Sequence, residues 1–151
     1  MNRNLTILIA EDNENDAALL QLAIRGIGLQ NPVRILPDGV VVIEYLKGSG
    51  KYADRHEYPF PSVLFLDLKM PRLGGFEILQ WLRQHPDCFV IPVTIFSSSA
   101  LEPDIKKAYA LGANAYFIKP SSFEDLKRML QSAFEFWSWC AKPSVPERCA
   151  E

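Results

Sequence analysis

Glu11 and Asp12, Asp67, Ser97 and Lys119 each stand directly after a short apolar run, at residues 5–10, 63–66, 90–96 and 115–118. Alone, each would be an ordinary polar residue at the end of a strand. Together they make a set with a definite chemistry. Three carboxylates brought close repel one another, which either raises a proton affinity or calls for a divalent cation. Oxygen ligands with no His or Cys among them suit a hard ion, of which Mg²⁺ is the common one. An Asp carboxylate can attack phosphorus and form an acyl phosphate. Such a transfer depends on positioning and charge, so a cation and Lys119 would serve without a general base. The Ser97 hydroxyl could donate to the transferred oxygens.

That chemistry requires the apolar runs to be neighbouring strands of one sheet. Between them the spacing turns helical: Ala17, Leu20, Ile24 and Ile27 recur at three and four residues until Gly28. Residues 33–36 read as a second strand. Asp38 then offers a cap for a helix to Leu46, although Val40, Val41, Val42 and Ile43 are β-branched and favour a strand. The break at Pro37, Asp38 and Gly39 and the strand–helix alternation decide for the helix. Residues 48–61 read as a loop, residues 76–84, 102–111 and 123–139 as further helices, and residues 140–151, with Pro143 and Pro146, as a short loose tail. Five strand–helix repeats with uniformly apolar strands argue for an α/β fold, a doubly wound parallel sheet covered on both faces. Ligands of such sheets gather at the carboxyl ends of the strands, where the five residues stand.

The chain has 151 residues, 48% of them apolar and 23% charged, enough to bury the core of one domain. No apolar run reaches the roughly 18–20 residues that a membrane-spanning helix needs. The run at residues 5–10 is too short for a secretory signal, so a cytoplasmic location is expected. Sixteen basic and eighteen acidic residues are spread along the chain, and no basic tract offers itself to nucleic acid. Cys88, Cys140 and Cys149 are scattered and odd in number, and read as three reduced thiols. His56 and His85 lie in polar stretches and read as solvated loop residues. Gly48-Ser-Gly50-Lys51 lacks the spacing of a phosphate loop.

The strings Ile7-Leu-Ile-Ala-Glu11-Asp12-Asn13, Leu66-Asp67-Leu-Lys-Met70-Pro71 and Ala115-Tyr-Phe-Ile-Lys119-Pro120 resemble the receiver domain of two-component response regulators, from about Leu5 to Trp139. The resemblance implies a flavodoxin-like sheet of order 2-1-3-4-5 with five helices, the last one extended. It implies Asp67 as the phosphoacceptor for a histidine kinase. Mg²⁺ would be ligated by Asp12, by Asp67, by the Lys69 carbonyl and, mainly through water, by Glu11. Lys119 would hold the phosphoryl group, Ser97 and Tyr116 would form a switch pair, and the Lys119–Pro120 bond would be cis. Asn31-Pro-Val, Asp38-Gly39, Gly50-Lys-Tyr52, Leu111-Gly-Ala-Asn114 and Phe134-Glu-Phe-Trp137 resemble more closely the single-domain regulators partnered with bacterial phytochromes. Some of these self-associate, which implies a homodimer through the face made by residues 102–111, the fifth strand and the last helix.

This chain also departs from the family's pattern. Gly74-Gly75 stand where Asp-Gly is common, which removes one helix cap. Ser97 replaces the commoner Thr and keeps the hydroxyl. Lys69 and Ser99 flank the acceptor, where the family tunes the lifetime of its phosphoryl group. A phosphohydrolase would use Asp-x-Asp with the second Asp as acid and base, and Lys69 at that position argues against turnover. A pure interaction module has no need of the five-residue set. Tyr116, taken alone, is equally a half-buried aromatic on an edge strand. Phe134, Phe136, Trp137 and Trp139 cannot all face one core, so part of that patch is expected to meet a partner.

Overall fold

The computed structural model describes residues 5–149. Its strands are β1 (Ile7–Ala10), β2 (Val33–Leu36), β3 (Val63–Leu66), β4 (Val93–Ser97) and β5 (Ala115–Ile118). All pair in parallel in the order β2-β1-β3-β4-β5, as expected. The helices are α1 (Glu14–Gly26), α2 (Gly39–Lys47), α3 (Gly75–Arg83), α4 (Pro86–Phe89), α5 (Glu102–Ala110) and α6 (Phe123–Trp139). The four-residue α4 is a sixth helix beyond the five expected. It takes up the approach to the run assigned to a strand from residue 90, and β4 starts only at Val93, after Pro92. Proline supplies no ladder N–H, which suits the residue before a strand rather than one inside it.

Strand residues alternate between two cores because successive side chains point to opposite faces. Leu8, Leu64, Leu66 and Ile95 pack under α2, α3 and α5, with Val42, Leu46, Ile78, Leu79, Leu82 and Ala108 against them. Ile7, Ile9, Phe65 and Phe96 pack under α1 and α6, against Leu20, Ile24, Leu126, Leu130 and Phe134. Burial thus overrides the strand preference of the valines in α2: Val42 is fully buried, and Asp38 caps the helix by accepting the Val41 N–H at 3.0 Å. Phe134 and Trp137 of α6 face the core whereas Phe136 and Trp139 are exposed, as four aromatics in six positions require.

Four expectations fail. The Lys119–Pro120 bond is trans, since no cis bond occurs among the described residues; trans is the intrinsically favoured isomer. The tail after α6 is not loose as far as Cys149, which is buried and donates its N–H to Leu46 O at 2.8 Å; residues 150–151 of the expected tail lie outside the described residues. Nor are the three thiols all free: Cys88 and Cys149 form a disulfide, and Cys140 remains a thiol. Sequence spacing cannot show this pair, because 61 residues separate partners that only the fold brings together. His85, read as solvated, stacks on the Trp81 ring with centroids 4.0 Å apart. No helix among the described residues is long and apolar enough to cross a membrane.

Candidate functional site

Parallel pairing of β1 with β3, Ala10 opposite Leu66, carries Glu11 and Asp67 to adjacent places just beyond the strand ends. The register is held past the strands by Glu11 N–H to Leu36 O at 2.9 Å and Asp67 N–H to Ala10 O at 3.2 Å. On the other side β5 runs beside β4, and Lys119 N–H donates to Ser97 O at 2.8 Å, which aims the lysine back across β4. Its ammonium donates to Glu11 Oε1 at 2.5 Å and to Asp67 Oδ2 at 2.8 Å.

Glu11, Asp12 and Asp67 offer carboxylate oxygens that all lie within 4.8 Å of one another. Glu11 and Asp67 are buried and Asp12 is exposed, so the group opens to solvent on one side. Glu11 Oε2 is buried with no hydrogen-bond partner. A buried carboxylate oxygen left unpaired is costly, and here it points to a ligand the oxygen is built to receive. Oxygen donors with one solvent-facing member fit a hard divalent cation that keeps several waters. Burial, reinforced by Asp67, pushes the Glu11 carboxyl up to about 8 despite Lys119. Burial alone would lower the Lys119 ammonium, but its bonds to Asp67 and Glu11 outweigh this and hold it above the usual lysine range. The lysine therefore stays charged.

The loop from β3 to α3 is tied to the site by close backbone approach. A Cβ on Gly74 would stand 2.2 Å from Leu68 O, so only glycine fits there. Its cost is the cap anticipated from the sequence, for α3 begins without a side-chain acceptor. Within this loop the Lys69 N–H reaches Asp67 Oδ1 at 3.3 Å. Arg72 takes a left-handed conformation, φ 65°, and donates to Asp38 Oδ2 at 2.7 Å. That pairing, with the Val41 N–H, outweighs burial and lowers the Asp38 carboxyl.

Ser97 is buried at the end of β4. Its Oγ makes no hydrogen bond to Asp67 and accepts the Ser99 N–H at 3.2 Å. The Tyr116 hydroxyl donates to Ser99 O at 2.8 Å, and Ser99 Oγ donates to Asp104 Oδ2 of α5 at 2.6 Å. Ser97 and Tyr116 are therefore joined through Ser99, and through it to α5. The structure thus brings Glu11, Asp12, Asp67 and Lys119 together and sets Ser97 and Tyr116 on a neighbouring chain of bonds.

Sequence reasoning missed Asp16. Asn13 caps α1 by accepting the Asp16 N–H at 3.0 Å, and this places the Asp16 carboxylate 3.3 Å from Lys119 Nζ. No spacing in the sequence marks it, for an acidic residue in the first turn of a helix such as α1 is ordinary. A groove of about 420 Å³ lined by Leu5, Ile27, Leu29 and Phe134 lies at the opposite, amino-terminal edge of the sheet and takes no part in this site.

Residues 7–131 match the family described as response regulator receiver domain. Response regulator Rcp1 of Synechocystis sp. is 33% identical over 131 residues, 87% of each chain. A crystal structure of the Mn²⁺-bound form of Rcp1 superposes with a TM-score of 0.80. The crystal structure of response regulator RPA3017, described in red light signaling of R. palustris, has a TM-score of 0.88 at 32% identity, covering 93% of this chain and 99% of that one. The phosphorylated cyanobacterial phytochrome response regulator RcpA gives 0.84 at 31% identity with the same coverage.

Proposed function

Because the chain belongs to the response regulator receiver family, with phytochrome response regulators among its close relatives, we propose that Asp67 is its phosphoacceptor. The observation that carries this reading is Lys119 Nζ held between Asp67 and Glu11 while a buried Glu11 oxygen stands unpaired. A carboxylate oxygen of Asp67 attacks the phosphorus of a phosphohistidine. The P–N bond breaks, the imidazole leaves, and an acyl phosphate forms on Asp67. Lys119 meets the incoming oxygens with a fixed positive charge. Glu11, Asp12, Asp67 and the Lys69 carbonyl would hold the cation, proposed as Mg²⁺. When bound it offsets carboxylate charge and polarises the transferring group.

The Ser97 hydroxyl then turns from the Ser99 N–H toward the phosphoryl oxygens. Loss of that bond shifts the Ser99–Tyr116 linkage and with it α5, a change of population between two arrangements. The protein acts as a cytoplasmic signalling receiver rather than a turnover enzyme, and its kinase partner is of the phytochrome type. Exposed Tyr109, Ile118, Phe136 and Trp139 on α5, β5 and α6 support a homodimer through that face.

A small acyl-phosphate donor with Mg²⁺ is expected to label the wild-type chain once, at an acid- and base-labile acyl phosphate. Asp67→Asn, a near-isosteric change, should abolish the label while leaving the circular dichroism and melting profile folded. An unlabelled, well-folded wild type, or an Asp67→Asn variant labelled as well as wild type, would overturn the assignment.

A further inference from the structure

Cys88 lies in α4, which leads into the amino-terminal end of β4, whereas Asp67 follows the carboxyl end of β3, so the disulfide's chemistry is separate from any phosphoryl transfer at Asp67. Cys88 sits in α4 and is fully buried; Cys149 is 2% exposed, with the two Cα atoms 5.7 Å apart. Residues 141–149 contain no helix or strand. They leave α6 on one face of the sheet and end in the core of the other, where Val145 and Cys149 pack beside Leu46, Tyr45 and Tyr52. Among the described residues, hydrogen bonds to Leu46 and Arg55 and the packing of Val145 and Cys149 hold this segment there. Cys149 N–H donates to Leu46 O, and Arg55 Nε donates to Glu147 O at 2.7 Å. The same guanidinium reaches Leu46 O and Tyr58 O, so it joins the tail to the loop before β3. An irregular segment without helix or ladder hydrogen bonds opens readily unless it is tied down. The tie is the sulfur–sulfur bond.

We propose that Cys88 and Cys149 are a reversible thiol–disulfide exchange site whose reactants are low-molecular-weight disulfides and dithiols, and whose oxidation state decides whether the tail is docked. Both sulfurs are buried, so oxidation proceeds when the untied tail lifts and carries Cys149 with it, and reduction proceeds when the segment before Cys149 opens far enough to expose the sulfur–sulfur bond. The Cys149 thiolate attacks one sulfur of a small disulfide, breaks that S–S bond and expels one thiol, leaving a mixed disulfide on Cys149. The Cys88 thiolate then attacks the Cys149 sulfur and expels the second thiol. Two protein thiols have lost two protons and two electrons, and the small disulfide has gained both as two thiols. A dithiol reverses each step. Cys140 stands at the start of the tail, half-buried against the other core, and is the thiol left over.

The test uses the full chain. After incubation with oxidised glutathione, native alkylation by N-ethylmaleimide read by intact mass should add one group, on Cys140. After dithiothreitol it should add three. Hydrogen exchange at the Cys149 amide should be at least about tenfold faster in the reduced protein, since local opening is no longer restrained by a covalent tie. Cys149→Ser should exchange like the reduced protein whatever the reagent. Cys140→Ser should keep the full redox response. Three alkylated thiols after glutathione disulfide would overturn the proposal, and so would tail protection that is equal in the two states.

Discussion

Lys119 has three N–H donors, and Glu11, Asp67 and Asp16 take one each. The contact with Asp16 is the longest, and Asp16 is the more exposed of these carboxylates, with 43% of its side chain open against 9% for Asp67. It is the acceptor that gives way most cheaply when a phosphoryl group needs a donor, and its charge also faces any anionic donor approaching from solvent. Asp16→Asn is therefore expected to speed labelling of Asp67 by roughly two- to fivefold, the span that an exposed pair worth ~0.5–1 kcal/mol allows. The initial rate at low donor concentration measures it, and a slower variant would refute this role. Glu11 makes a pH prediction. Its carboxyl, ordinarily at 4.5, sits at about 8 in the metal-free fold. The folded chain then holds a proton that the unfolded chain has lost, so stability falls as pH rises through that window. Lys119 is raised from 10.5 and Asp38 is lowered from 3.8, so both act outside the window. Urea midpoints in chelator should decline from its acid to its alkaline end, and saturating Mg²⁺ should flatten the decline.

At the scale of elements, α2 and the β3–α3 loop depend on one residue. Asp38 both caps α2 and anchors Arg72, whose left-handed backbone shapes the loop after Asp67. Asp38→Ala should lower stability by about 1–2 kcal/mol, the usual cost of a lost cap with its ion pair discounted for the exposed Arg72. Denaturant unfolding checks the figure. The helix itself was legible from its punctuation, because Pro37-Asp38-Gly39 outweighs the β-branched run once burial is counted. The start of β4 was not. Val90 and Ile91 read as strand by composition, yet Pro86 opens a helical turn and Ile91 is buried beside it in the core. Local propensity cannot separate a buried turn from a buried strand, since both are apolar.

On the scale of the whole molecule, the disulfide closes a span of 61 residues. Loop-closure entropy then makes it worth about 4 kcal/mol, if native geometry is otherwise undisturbed. Dithiothreitol is expected to lower the melting temperature by about 5–15 °C for a chain of this size. The Cys88→Ser/Cys149→Ser chain should melt near the reduced value and show no further response to reductant. Calorimetry of both chains with and without reductant decides it, and an unchanged wild-type melt would count against the staple.

By itself the sequence determined the order of the five strands and the five longer helices, the apolar faces, and the strand-end positions of Glu11, Asp12, Asp67, Ser97 and Lys119. These follow from periodicity and punctuation, which are local, and from the rule that parallel sheets gather ligands at strand ends. Only the tertiary structure decided who touches whom. Register set Lys119 between Glu11 and Asp67, a helix cap swung Asp16 toward the same ammonium, and chain return under the sheet joined Cys149 to Cys88. Each of these is a contact between residues far apart along the chain or aimed by a turn, and spacing in sequence carries no distance across a fold.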